Sequence, residues 1–372
     1  MVASRDVTLF IDPFSHHFLR DKLFDARLTS TVGENLSAPW IYLRHWFEQR
    51  GVEVHTADYL LQNDYRKPQN VFVSFGLRRR CRAVAGRRDV QLSAFFAFES
   101  PAVEPALYRD LADVQRRFKR IFTFADAQSL QPFLRAPLDS RIFRKPSPVE
   151  SVREDLWARS ERKFLMMINN NRLPAIGWHE LYTERMRAVE YFSRTDEIDL
   201  YGKGWDAPSY QMGIGWMPGT LQILMRKAQT AWQRIRPVPA LLAARRVYKG
   251  MVASKLEALS RYTFSICFEN AALNGYLTEK LFDCFAAGTV PIYWGATDIE
   301  KLVWPECFID MRKFAGYAEL ASFLKSRSAN DVVRYREAAR TFLASEDFKP
   351  FTKQAFTERL ARVVEEDTGV RL

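Results

Sequence analysis

Short apolar runs alternate with amphipathic stretches along most of the chain. In the first half VTLFI (7–11), VEVHTA (52–57), VFVSFG (71–76), LSAFFAFES (92–100) and RIFTFA (120–125) are bounded by turn formers and read as strands. APWIYLRHWFEQRG (38–51) has the spacing of a helix closed by a glycine. A proline-rich passage, RAPLDSRIFRKPSPVES (135–151), breaks the rhythm and reads as a linker. The alternation then resumes with strand KFLMMIN (163–169), a helix over 179–194 and strand IDLYGKG (198–204). Helix ASKLEALSRY, strand TFSICFE, helix YLTEKLFDCFAAG and strands TVPIYWG and CFIDM follow, and the pattern is helical after about Gly316. Strands alternating with helices predict an α/β protein with parallel sheets covered on both faces. The expected organisation is two doubly wound, Rossmann-like domains facing a cleft: 1–150, then 151–345 with an insertion at about 206–255, then a helical tail over 346–372. Ligands in such sheets bind beyond the carboxyl ends of the strands.

Composition sharpens this picture without changing it. The 372 residues exceed one compact core and suit two domains, and 47% hydrophobic content describes a globular chain. MVASRDVTLFIDPF has no apolar core of secretory length, and no apolar run is long enough to span a bilayer. Cys81, Cys267, Cys284 and Cys307 form no CxxC pair and read as reduced core thiols, which places the protein in the cytoplasm. The five histidines do not cluster with them; His16 and His17 are adjacent and point apart, so no metal site is expected.

The net charge of +11 raises nucleic-acid binding, but no helix-turn-helix, zinc-finger or RNP pattern accompanies it, and no nucleic-acid partner is expected. The excess is local. From Ala207 to Leu256 there is no acidic residue, while Arg226, Lys227, Arg234, Arg236, Arg245, Arg246, Lys249 and Lys255 are interleaved with Leu221, Ile223, Leu224, Met225, Trp232 and Ile235. Such a stretch suits an anionic membrane surface through 221–249, peripheral on its inner face; a helical hairpin with a solvated basic face fits equally. LRRRCRAVAGRRD (77–89) reads as a solvated helix.

The candidate chemistry lies at strand ends. In YLTEKLFDCFAAG, Leu277, Leu281, Phe282, Phe285 and Ala286 share one helical face, leaving Glu279, Lys280 and Asp283 on another. A helix N-terminus attracts phosphate and a first-turn lysine strengthens it, whereas Glu279 suits hydroxyls or a developing positive charge. A dipole-favoured Glu279 and a Lys280 paired with Asp283 explain the spacing as well. NNNR (169–172) and YGKGW (201–205) bring Asn170, Gly202 and Lys203 to two further strand ends, in motifs that plain turns also use. No Asp-x-Asp occurs, so a diphosphate would rest on fixed cations, with Lys203, Lys249, Lys255, Lys280 and Arg185 as candidates. In FFAFESP, Glu99 ends a strand just before a proline, where it can serve as a general base or cap a helix.

The stretch YTFSICFENAALNGYLTEKLFDCFAAGTVPIYWGATDI closely resembles the signature of the α-1,3/4-fucosyltransferases, glycosyltransferase family 10, of the bacterial type. Phe264, Phe268, Glu269, Asn270, Tyr276, Thr278, Glu279, Lys280, Ala287, Gly288, Val290, Pro291 and Gly295 all match. Glu99-Ser100-Pro101 is similar to the family's first-domain motif, and INNNR, LYTERMRA and DLYGKGW resemble its donor domain. The likeness is strong over about 155–312 and patchy over 1–150. It implies a GT-B enzyme that inverts configuration, moving L-fucose from GDP-fucose to a hydroxyl of an acceptor glycan in an α-1,3 linkage, in surface polysaccharide or lipopolysaccharide synthesis, with no obligatory cofactor or metal. Another nucleotide sugar, or nonenzymatic sugar-nucleotide binding at a membrane, are the alternatives. By the same resemblance Glu99 would be the base, and Tyr276, Glu279 and Lys280 would hold the donor. Glu269 would orient Lys280 or cap the helix, and Asn270, Arg185, Asn170 and Gly202 would line the donor site. The basic insertion departs from the pattern, so Lys203, Lys249 and Lys255 compete to bind the diphosphate.

Overall fold

The computed structural model describes residues 3–27, 37–76, 78–174, 177, 179–206, 210–211, 221, 224–225, 227–228, 231–232 and 239–372. It divides into two compact units. The first comprises Met1–Glu99, Leu107–Pro148 and Lys349–Leu372; the second comprises Ser100–Ala106 and Val149–Phe348.

In the first unit, β1 (Val7–Asp12), β2 (Glu53–Thr56), β3 (Gln69–Ser74), β4 (Val90–Phe96), β5 (Arg120–Thr123) and β6 (Arg141–Ile142) form one all-parallel sheet in the order β2-β1-β3-β4-β5-β6. Parallel strands must be covered on both faces, and β1 is buried at every position. One cover is α1 (Ala38–Glu48), whose Trp40, Leu43 and Phe47 enter the core. The proline-rich passage is more than a linker. Its Arg141 and Ile142 pair with β5 as the edge strand, and Phe143 is fully buried. Prolines flank the strand and leave its own amides free to pair. The solvated helix expected over 77–89 runs from Arg78 to Val84 and buries Cys81 and Val84, leaving Arg82 exposed.

In the second unit, β7 (Lys163–Ile168), β8 (Ile198–Tyr201), β9 (Tyr262–Phe268), β10 (Val290–Trp294) and β11 (Ile309–Asp310) are again all parallel, in the order β11-β10-β9-β7-β8. The chain runs from β7 outward to β8 and then returns to the other side of β7 as β9. That reversal creates a switch point beyond the carboxyl ends of β7 and β9, where doubly wound sheets bind ligands. Helices α2 (Tyr182–Phe192), α3 (Pro239–Val247), α4 (Lys255–Leu259), α5 (Glu279–Ala287), α6 (Tyr317–Lys325) and α7 (Ala329–Leu343) belong to this unit. Gly288 ends α5 in the left-handed region at φ 69°, and a Cβ there would lie 2.9 Å from the Trp157 ring. That indole donates to the carbonyls of Phe285 and Ala286, closing the helix end.

The last helix, α8 (Lys353–Thr368), packs in the core of the first unit through Phe356, Leu360, Val363 and Val364. Asp367 meets Lys119 and Arg120 there, each at 3.0 Å. Among the described residues no helix is long and apolar enough to cross a membrane. Within the basic insertion Ile223, Arg226, Arg234, Ile235 and Arg236 lie outside the described residues.

Candidate active site

Strand β9 runs apolar to Phe268 and then delivers Glu269, whose side chain has no solvent exposure. A carboxylate at that depth is tolerable only if its oxygens are bonded. Its Oε1 accepts the backbone N–H of Thr278 at 2.7 Å, and both oxygens accept the Thr278 hydroxyl, at 2.9 and 2.8 Å. Thr278 is the N-cap of α5. Its hydroxyl makes no cap bond of its own; Glu269 instead fixes the residue from the neighbouring strand end. Lys280 completes the network, donating from Nζ to Glu269 Oε2 at 3.0 Å and to Thr278 Oγ1 at 2.9 Å. Gly295 makes room for it, because a Cβ there would stand 2.5 Å from Glu269 Cγ and 2.3 Å from the Tyr293 hydroxyl.

Burial pulls the Lys280 ammonium down, but Glu269 and Glu279 outweigh it and hold the ammonium above lysine's ordinary range. Lys280 is therefore a fixed cation in the first turn of a helix, beside the positive end of the helix dipole. Glu279, at 4.0 Å from Lys280, is about a third exposed. The carboxylate–ammonium pair at the strand end is Glu269 with Lys280, whereas Asp283, the partner that sequence spacing also allowed, takes Lys255.

The next residue, Asn270, is tied on two sides. Its Oδ1 accepts from Arg185 at 3.0 Å, and its Nδ2 reaches the Tyr276 hydroxyl at 3.4 Å. Arg185, on α2, also donates to the Phe268 carbonyl at 2.6 Å and lies over the Tyr182 ring. Tyr276 is buried, and the turn before it is held where Asp298 accepts the Gly275 amide at 2.7 Å. Glu269, Asn270, Tyr276, Glu279, Lys280 and Arg185 thus form one connected group at the carboxyl edge of the second sheet.

Asn170, Gly202 and Lys203 gather at the ends of β7 and β8. Asn170 Oδ1 accepts the Lys203 amide at 2.9 Å, the Asn171 amide group donates to Gly204, and Trp205 donates to Asn169. Gly202 is obligatory: its φ is 127° and a Cβ would fall 2.0 Å from the Asn169 carbonyl oxygen. The two motifs therefore interlock the strand ends, the job turns do, and the exposed Lys203 side chain stands on that frame. The remaining cations are engaged. Lys249 pairs with Asp199 at 3.4 Å, and Lys255 is held by the buried Asp283. Burial lowers Lys255, and Asp283 with Glu279 raises it further, so it stays charged.

In the first unit Glu99 follows β4, and its carbonyl accepts the Tyr108 hydroxyl at 2.6 Å. The preceding Phe98 stacks on Phe14 at 5.4 Å, with Lys145 Nζ 4.7 Å from its ring centroid. At the end of β1, Asp12 is wholly buried and accepts from Arg80 at 2.8 Å and Ser74 at 3.1 Å. Sequence reading missed Asp12, whose strand VTLFID shows only a polar residue before a turn. It also missed the structural uses of Asp298 and Gly295. Among the described residues, no group of three or more His, Cys, Asp or Glu side chains could hold a metal ion.

The decisive likeness lies in the sequence around this group. The model of the glycosyltransferase family 10 (fucosyltransferase) C-terminal domain matches residues 243–359. Over that stretch the chain is similar to glycosyltransferase family 10. It is 36% identical over 95 residues to an α-(1,3)-fucosyltransferase of Helicobacter pylori, covering 26% of this chain and 20% of that one. It is 44% identical over 80 residues to an α-(1,4)-fucosyltransferase of Arabidopsis thaliana, covering 22% and 20%. The matched stretch thus spans a fifth of either relative's length. The fold is GT-B, shared with an α-glucosyltransferase solved with UDP and a 13-mer DNA (TM-score 0.51, 14% identity, 96% of this chain and 99% of that one). The family 10 match contains the whole Glu269–Lys280 network.

Proposed function

We propose that this chain moves L-fucose from GDP-fucose to a hydroxyl of an acceptor glycan, with inversion and in an α-1,3 linkage, in surface polysaccharide or lipopolysaccharide synthesis. One observation carries the reading: within the family 10 match, a lysine in the first turn of a helix is fixed by a strand-end carboxylate that also holds the helix cap.

In this reading the diphosphate lies against Lys280 and the α5 N-terminus, which neutralise charge as it builds on departing GDP. Glu279 meets hydroxyls of the fucose or the ribose, since a carboxylate facing the phosphates would repel them. Tyr276, whose hydroxyl accepts from an Asn270 that Arg185 holds in turn, forms part of the wall. Glu99 takes the proton of the acceptor hydroxyl, that oxygen bonds to the anomeric carbon, and the bond from that carbon to the β-phosphate oxygen breaks. Opposite-face attack inverts the centre. Glu269 does not touch the donor; it positions Lys280.

Thermal melts in EDTA with GDP, GDP-fucose, GDP-mannose, UDP and dTDP test the donor. A ligand at a hundredfold its dissociation constant stabilises by about 2.7 kcal/mol, enough to move a midpoint clearly. GDP and GDP-fucose should raise it while UDP and dTDP do not. A shift with UDP or dTDP instead would sink the fucosyl reading.

A further inference from the structure

A second surface lies outside the proposed donor site. Among the described residues ten large hydrophobic side chains are exposed, and six of them fall in one short stretch: Leu221, Leu224, Met225, Trp232, Leu242 and Met251. Globular surfaces scatter such residues singly, and a local concentration marks an interaction face. Leu221, Leu224, Met225 and Ala228 are helical and follow the i, i+3, i+4, i+7 spacing of a single stripe. The exposure is 42% at Leu221, 62% at Leu224 and 45% at Met225, so this stripe faces outward where a core helix would turn it in.

Helix α3 repeats the arrangement. It buries Leu241, Ala244 and Val247 and leaves Leu242, Arg245 and Arg246 exposed on the other side. The charge in the stretch has one sign, with no acidic residue from Ala207 to Leu256. From outside it, Asp196 approaches Arg246 and Asp199 approaches Lys249, each at 3.4 Å. Lys227 and Arg245 are exposed as well.

We infer that the exposed residues Leu221, Leu224, Met225, Leu242 and Met251, with Lys227, Arg245 and Arg246, belong to a peripheral docking surface for an anionic lipid bilayer. Exposed leucine and methionine at helical spacing enter the acyl boundary, while the lysines and arginines stay among anionic headgroups. Nucleic acid would satisfy the charge but leaves the apolar stripe in water. An anionic bilayer uses both features at once, its headgroups taking the cations and its acyl boundary the apolar side chains. The surface would bring a glycosyl acceptor that is itself attached to lipid within reach of the enzyme.

Co-sedimentation of the full chain with vesicles tests this, and it reads binding rather than turnover, so a failed fucosyl assignment leaves it intact. Vesicles of phosphatidylcholine with a third phosphatidylglycerol should carry the protein down; pure phosphatidylcholine should not, and raised salt should weaken capture. Leu224→Glu with Met225→Glu should weaken capture at least about tenfold. Arg245→Gln with Arg246→Gln should weaken it less. An unchanged melting midpoint shows that each variant is folded. Equal capture of the Leu224/Met225 variant and the unaltered chain overturns the inference, as does absence from the anionic vesicles. A dimer in solution that this variant breaks, without vesicle binding, would assign the face to a second copy of the chain instead.

Discussion

At the carboxyl edge of the second sheet, polar groups are buried and bonded to one another: Glu269 to Thr278 and Lys280, and Asn270 to Arg185 and Tyr276. At the same edge of the first sheet, rings dominate. Phe14, Phe98, Trp40, Phe75 and Phe143 pack together there, and the charged groups beside them include Glu99, Lys145 and the Asp12–Arg80 pair. The contrast separates two ways a strand end can be specified. A bonded polar network tolerates few substitutions, because each member leaves a buried partner unsatisfied when it goes. A ring cluster accepts other apolar residues of similar volume. The family match over 243–359 contains the Glu269–Lys280 part of the polar network.

The largest effect should come from Glu99→Gln, the one substitution aimed at the ring-lined edge that also removes a proposed reacting group. Turnover should fall by about a hundredfold to ten-thousandfold while GDP affinity holds. Steady-state rates beside a GDP titration decide it; unaltered turnover would leave Glu99 as a capping or packing residue.

The polar edge should break through stability first. Glu269→Leu leaves the Lys280 ammonium without its buried partner and removes the acceptor of the Thr278 amide, at about 3–5 kcal/mol. Denaturant melts should show that loss, and a cost below about 1 kcal/mol would mean the network carries little strain on removal.

Asp12 sharpens the comparison, because it is the buried carboxylate on the ring-lined side. Burial pushes it up to about 6, against the opposing pull of Arg80. The folded protein then holds that proton more tightly than the unfolded chain, so stability falls as pH rises from about 4 to about 6 and is level above. The full span is about 3 kcal/mol. Relative to the unaltered chain, Asp12→Asn should lack that downward slope in denaturant melts taken at several pH values. Identical slopes would remove Asp12 as their source.

How far these edges were legible follows the same division. The strands announced themselves because parallel, doubly covered strands are almost wholly apolar, as TFSICF is. Glu269 and Lys280 were visible as charges out of place, and the family signature pointed to them. Their pairing stood as one of two readings, since spacing alone let Lys280 pair with Asp283 while the family resemblance let Glu269 orient Lys280 or cap the helix. The fold hands Asp283 to Lys255, 28 positions earlier, and gives Lys280 to a strand end 11 positions back. Arg185 and Asn270 are likewise joined across 85 positions. The edge strand at Arg141 was hidden by its prolines, and nothing in KQAFTERLARVV says that α8 enters the first unit's core.

The central claim is that Lys280 is held for the donor and Lys255 for the fold. Isothermal titration of GDP into Lys280→Met and Lys255→Met, with melts of both, tests it most directly. The account predicts that Lys280→Met weakens GDP at least about tenfold, the range of one lost charged contact. It predicts that Lys255→Met lowers the melting midpoint, by stranding Asp283, while the folded fraction binds GDP as the unaltered chain does. Full GDP affinity in Lys280→Met, with the loss appearing in Lys255→Met, would contradict it.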